Sequence, residues 1–501
     1  MRKLLLLVVL SVIITGCTSK SDVSENKVFE SQQDISERSS MEKFSMSYPE
    51  WQAAPIDDPL TLSMMVREDS ICNFRLVAAE SPVEWYYLGL KNFTLNNGGT
   101  MISENPFVFE TKSSDGKYTF TGKVSGLMCD DKSYFSVISC LKDSYDEDTA
   151  KKRFDSMSCE KNWSVKHREN KRLGIVITPG AEKTYKTFAE SYNLARNSGA
   201  EMTHNYVVWG EVENAGGNYN WNIQDFIMGF ARNKGLEASV VFNIIHTSVI
   251  GELPDDLKFT SFNDTGLVSR YTKFLLSYID RYKDVVKYVE IGNEVNIYLE
   301  ANPDEIDAFA SLYKQVYDAI KQKYPDVKVG TVFAYHEMKD KSGFKAYEKL
   351  KIGDFDAFTL YIYDEGFMFD RDPMEIFNYL KEIQTLTGSR HFAMEEVGWN
   401  TESRIKGTQE DQIKTVDYFF DFLKDAPDRL EFMQWFMLHD DEKENCGITG
   451  KTFFLPNSPI LENKKAMDPF IDFICYLGLL DENSVPKLAW HEWVNKARRY
   501  N

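Results

Sequence analysis

Two short runs place carboxylates where they can act as a pair. Tyr288-Val289-Glu290-Ile291-Gly292-Asn293-Glu294 and His391-Phe392-Ala393-Met394-Glu395-Glu396-Val397-Gly398-Trp399 are apolar β-type stretches that end in glutamates. Two such carboxyls can divide one reaction between them. A protonated one donates to a leaving oxygen, and an ionised one attacks carbon or activates water. The donor needs burial and a nearby negative charge, because an unperturbed Glu titrates near ~4.3. Side chains alternate along a regular strand, so only one of Glu395 and Glu396 is expected to face the site. By the same alternation Glu290 faces inward if Glu294 does. His204, His246 and His336 fall at or near the ends of other apolar runs, but without helical His-Glu-x-x-His spacing, so sugar-type hydroxyl binding is preferred and no metal is expected. Asp440-Asp441-Glu442-Lys443-Glu444 reads as a solvated loop rather than a calcium site.

Those runs need a scaffold that brings strand ends together. From about Leu173 onward, apolar runs at 173–178, 203–209, 237–245, 286–293, 327–333, 355–362, 391–396 and 430–437 alternate with helical patterns. The clearest of these patterns are 184–198, 223–234, 266–282, 306–323 and 409–424. Eight strands alternating with helices predict an α/β fold, a (β/α)8 TIM barrel over 170–501. The competitor is a doubly wound sheet, but no glycine-rich dinucleotide or phosphate loop follows the first strand. Strands four and seven lie opposite each other in such a barrel, so Glu294 and Glu396 would face across its mouth. Paired carboxyls over one cavity are what glycoside hydrolysis requires, and it needs no organic cofactor.

Residues 41–165 differ. Phe44-Ser45-Met46-Ser47-Tyr48, 118–124 and 133–138 alternate like half-buried strands, with helix-like runs at 82–96 and 147–156, which reads as a smaller N-terminal α+β domain. Ahead of it, 17–40 is a polar tether without hydrophobic period. Residues 1–16 carry Arg2 and Lys3, an apolar stretch and then Thr15-Gly16-Cys17, the pattern of a cleaved export signal. Six cysteines remain beyond Cys17, and an even count in an exported chain permits disulfides whose pairing is open. The whole chain has 501 residues, 58 Lys+Arg against 77 Asp+Glu and a net charge of −19, a balance that argues against nucleic acid as partner.

Three resemblances sharpen these expectations. Ile14-Thr15-Gly16-Cys17 resembles the lipobox of prokaryotic lipoproteins, which implies a lipid anchor on Cys17 at a membrane exterior. "FSMSYPEWQ", "YFSVISC" and a closing helix resemble PsbP/Mog1-like domains. Glu290-x-x-Asn293-Glu294 and Glu396-Val397-Gly398-Trp399 resemble the strand-four and strand-seven motifs of clan A glycoside hydrolases, with "IGNEVN" closest to family 53 endo-β-1,4-galactanases. That likeness implies a retaining enzyme for a β-linked oligo- or polysaccharide, with Glu294 as acid/base and Glu396 as nucleophile. It further implies that Asn293 contacts a sugar hydroxyl, that Tyr363 donates to the nucleophile, and that Trp435 forms a platform beneath the sugar. Trp399 and His246 are further sugar-binding candidates. One departure is that His204 stands where many clan members have an arginine supporting the nucleophile. That departure favours a second reading, a barrel that binds glycan without turnover.

Overall fold

The computed structural model describes residues 167–500, apart from 342 and 455–457, and ahead of them chiefly strands between 44 and 159. The leader 1–16, Cys17, the tether 17–40 and the helix-like run 147–156 lie outside the described residues. The chain divides into two compact units, one chiefly of residues 1–164 and one chiefly of residues 165–501.

In the first unit, the described residues form an antiparallel sheet of seven strands. Its order is Gln52–Ala53, Thr61–Val66, Cys72–Ala79, Lys132–Leu141, Thr119–Cys129, Phe107–Lys112, Thr100–Glu104. Alternation buries Phe107, Phe109, Val124, Phe135 and Val137 on one face, where Tyr86 stacks on Phe135. Cys72 and Cys140 face each other in register on neighbouring strands and form a disulfide.

The second unit is a barrel. Its strands are β1 (Arg172–Ile175), β2 (Met202–Val207), β3 (Glu237–His246), β4 (Val286–Asn293), β5 in two halves (Lys328–Gly330 and Val332–Ala334), β6 (Phe355–Leu360), β7 (His391–Val397) and β8 (Leu430–Trp435). All neighbours pair in parallel, β8 pairs with β1, and the two halves of β5 pair with β4 and β6. Thr331 closes the ring between those halves: its carbonyl accepts from Ala357 N at 3.0 Å and its hydroxyl donates to Ile291 O at 2.6 Å. The helices follow from capping and period. Thr265–Tyr282 starts at Asp264, whose side chain accepts from Leu267 N at 2.8 Å, and it buries Leu267, Tyr271, Phe274, Leu275, Tyr278 and Tyr282 against the strands.

Inside the barrel, side chains stack in layers. The lower layer is apolar: Met202, Val241, Tyr288, Val332, Phe355, Ala357, Ala393 and Phe432. Below it, Tyr288 and Lys328 bond to the buried carboxylate of Glu431, and Arg172 donates to the Tyr288 hydroxyl. Asp356, near the start of β6, pairs with Arg390 at 2.8 and 2.9 Å and accepts from Tyr347. Phe432→Ala removes a fully buried ring from the lower layer, and an unfolding measurement in urea should show a loss of about 3–5 kcal/mol. Ile448→Ala, at a side chain 65% exposed, should stay within about 0.5 kcal/mol of the parent.

Candidate active site

Two residues further along each strand, the apolar layer gives way to a polar one. Met202 is followed by His204, Tyr288 by Glu290, Ala357 by Thr359, Ala393 by Glu395 and Phe432 by Gln434, and all five of these polar side chains are buried. Gly174 on β1 leaves the room that Gln434 occupies, since a Cβ there would meet the glutamine Cγ at 2.6 Å. Buried charge is costly unless compensated. Ser239 donates to Glu290 at 2.6 Å, and burial nonetheless pushes this carboxyl up to about 8, with the Glu395 charge adding to the rise and His204 opposing it. His204 Nε2 lies 2.8 Å from Glu395 Oε1, and the Tyr206 hydroxyl donates to the same oxygen at 3.3 Å.

Glu294 sits one step above this layer, just past β4. Gly292 has φ +81°, and a Cβ there would meet Val295 Cγ1 at 2.5 Å, so the turn depends on glycine. Glu294 itself is left-handed at φ 48°, a conformation that L residues other than Asn and Asp seldom adopt, which turns its carboxyl over the mouth. Thr359 on β6 donates to one carboxyl oxygen at 2.6 Å and Thr247, beyond β3, to the other at 3.0 Å. Burial still raises the group to about 7; the two threonine bonds lower it, and the charges of Glu395 and Glu337 raise it. The residue remains partly exposed.

Glu396 is reached from the residue just past the end of the same strand. The Tyr361 hydroxyl, two residues beyond Thr359, donates to its Oε2. Burial and the nearby Glu294 and Glu395 hold that phenol well above its usual range, so it serves as a donor only. Burial pushes Glu396 up to about 8. The expectation that one of Glu395 and Glu396 must turn away is overturned. Phe358 pairs with Met394 but Thr359 pairs with Glu396, so Glu395 is an extra residue, a bulge that interrupts alternation. Glu395 drops into the layer below, and Glu396 reaches Tyr361.

Other candidates are placed differently from expectation. Tyr361, not Tyr363, is the donor to Glu396. The strand ends at Leu360, and past that point Tyr363 lies against the His336 ring and bonds weakly to Glu337. Trp435 is no platform: it shares the parity of Met433, faces the helices, packs on Phe419 and Trp493, and is fully buried. Phe436, the next residue and of the same parity as Phe432, is partly exposed and meets Tyr361 edge-on at 6.1 Å. Trp399 is likewise fully buried, edge-on to Phe369. Its neighbour Gly398 admits the close approach of Phe436 O, which a Cβ would meet at 2.5 Å. His204 does not support Glu396, because its partner is Glu395. His246 and Asn293 are register partners at the rim, with Asn293 Nδ2 3.4 Å from His246 Nδ1, and burial lowers His246 to about 4. Among the described residues, no group of three His, Cys, Asp or Glu side chains converges as a metal site.

No protein-family model matches the chain, and no curated protein matches it. Solved structures do. A variant of GH5_18 from Streptomyces cattleya, in complex with Manβ1-4GlcNAc, is similar with TM-score 0.50 and 15% identity, over 66% of this chain and 81% of that one. The exo-β-1,4-mannosidase Op5Man5 from Opitutaceae bacterium strain TAV5 is similar with TM-score 0.50 and 13% identity, over 66% of this chain and 59% of that one. These likenesses show the (β/α)8 fold.

The Tyr361 bond favours the ionised form of Glu396. In Tyr361→Phe, the titration of Glu396 followed by carboxyl-carbon NMR should move upward by about one to two pH units.

Proposed function

We propose that the chain is a retaining glycoside hydrolase for a β-linked glycan, with Glu294 as acid/base and Glu396 as nucleophile. One observation carries this reading. Two hydroxyls on the same stretch of chain, Thr359 and Tyr361, hold the carboxyls of Glu294, past β4, and Glu396, on β7, over one mouth. A covalent route needs the two carboxyls about 5–5.5 Å apart. The fold shared with an exo-β-1,4-mannosidase, and with a protein solved in complex with Manβ1-4GlcNAc, supports a sugar substrate. The E-x-x-N-E and E-x-G-W motifs support the assignment of roles.

The chemistry then runs in two steps. Glu294 gives its proton to the glycosidic oxygen while ionised Glu396 attacks the anomeric carbon and forms a glycosyl ester. Esterification removes the Glu396 charge, and Glu294, now ionised, takes a proton from the incoming water as it releases the sugar. Asn293 and His246, side by side at the rim, are placed to bond sugar hydroxyls, and Phe436 offers an apolar ring near Tyr361. The leader and lipobox-like Ile14-Thr15-Gly16-Cys17 support a lipid-anchored protein at a membrane exterior, with the antiparallel unit as a spacer or binding module.

A second reading has its own observation. Many glycosidases of this type set a guanidinium beside the nucleophile, whereas here the basic side chain on β2 is engaged by Glu395. A glycan-binding protein without turnover would tolerate that. Hydrolysis assays across β-galactan, β-glucan, mannan and xylan separate the two. Glu294→Gln and Glu396→Gln should each reduce kcat by about 10²–10⁴-fold. Glycan binding by all three proteins with no turnover by any would leave the binding protein standing.

The proton affinities predict an unusual pH profile. Glu396 must be ionised and Glu294 protonated, yet burial puts the first near about 8 and the second near about 7. With these values the productive pair, Glu396 ionised and Glu294 protonated, is the minor singly protonated form; it declines as pH falls below about 7, where both carboxyls are protonated, and as pH rises above about 8, where both are ionised. The kcat/KM profile should therefore be a narrow bell on the neutral to mildly alkaline side.

A further inference from the structure

The segment that follows β8 does more than return to the last helix. It carries the helices Lys443–Lys451 and Lys464–Cys475, tied together by the Cys446–Cys475 disulfide and by Lys443 on Asp472 at 2.8 Å. It touches the C-terminal ends of strands far apart around the ring. Near β7, Asn400 Nδ2 donates to Phe473 O at 2.8 Å and Arg404 bonds to Asp472. Near β6, the Phe473 ring lies 5.2 Å from Tyr361 and 5.3 Å from Tyr363 and stacks on Phe367. Near β3, Phe453 lies 4.4 Å from the His246 ring, and its carbonyl accepts from Ser248 Oγ at 2.8 Å.

These contacts join into one chain of rings. Phe453 meets Phe470 at 5.5 Å, and Phe470 meets Phe367 at 5.1 Å. The row thus runs from the end of β3 to the loop after β6, and Glu294 at the end of β4 lies between those ends. Phe470 and Phe473 are 7% and 8% exposed, their faces spent on each other rather than offered to a ligand. A row of rings packed against one another is a wall. An enzyme that cuts inside a polymer needs a groove open at both ends, so that sugar units can extend on either side of the cleaved bond.

We propose that this aromatic wall closes one side of the mouth and makes the site exo-acting, so that a β-linked glycan enters end-on and loses a terminal unit. The inference rests on the glycosidase reading above, and its test separates the two. The whole chain is incubated with end-labelled hexaoses of β-1,4-linked mannose, galactose, glucose and xylose, and the earliest products are resolved. Release of a terminal mono- or disaccharide from the start, with the remainder shortening stepwise, is the expected result. Early mid-chain fragments would overturn the exo assignment while leaving the glycosidase intact. No hydrolysis of any hexaose, of the polymers or of small β-glycosides would overturn both. Phe453→Ala, at the β3 end of the wall, should raise the ratio of mid-chain to terminal cleavage by about tenfold. An unchanged ratio in a folded variant counts against the wall, and if the variant does not fold the product pattern of the parent decides.

Discussion

The site depends on two hydroxyls spaced two residues apart on one stretch of chain. Thr359, near the end of β6, and Tyr361, the first residue past it, each donate to a different carboxyl. The strand beneath them is fixed by Phe355 and Ala357 in the apolar layer, so the separation of the two acids is inherited from barrel packing. Neither acid lies on a regular strand path. Glu294 is delivered by a left-handed turn after Gly292, and Glu396 by the extra residue at Glu395. Regular β6 measures the distance, and the irregular ends of β4 and β7 adapt to it.

Electrostatics explains why a second tier of charge lies below. Glu290, Glu395 and His204 are buried, yet Glu395 acts on two groups of the tier above, raising Glu294 and Tyr361 alike. His204 Nε2 lies 2.8 Å from that carboxyl. The consequence falls on Glu396, whose support from Tyr361 is neutral and whose proton affinity is accordingly high. The one imidazole of β2 thus stands beside Glu395 in the lower tier rather than beside Glu396.

Much of this was legible in the amino-acid sequence, and the reasons differ by element. β4, expected at 286–293, is found at Val286–Asn293, and the helix expected at 306–323 at Ile306–Lys323, because both are long and strongly periodic. The layer order inside the barrel follows from parity alone once one inward residue is known. Phe432 inward implies Gln434 and Phe436 inward, so Trp435 faces out, and an aromatic at a strand end is ambiguous until that parity is fixed. The bulge at Glu395 leaves no such trace, since it arises from pairing with β6 and β8 rather than from local preference. Tyr363 misled for a related reason: the strand stops at Leu360, and counting by twos fails in a loop. The cysteine pairs were open as well, because pairing depends on which strands and helices become neighbours in space.

The bridge between Cys446 and Cys475 lies within the segment that lines the mouth rather than in the scaffold below. Thiols at these two positions would leave the barrel whole and its border with one tie fewer, still held by Lys443 on Asp472. Reducing surroundings would thus slacken the border while the carboxyls beneath it keep their own hydroxyl partners.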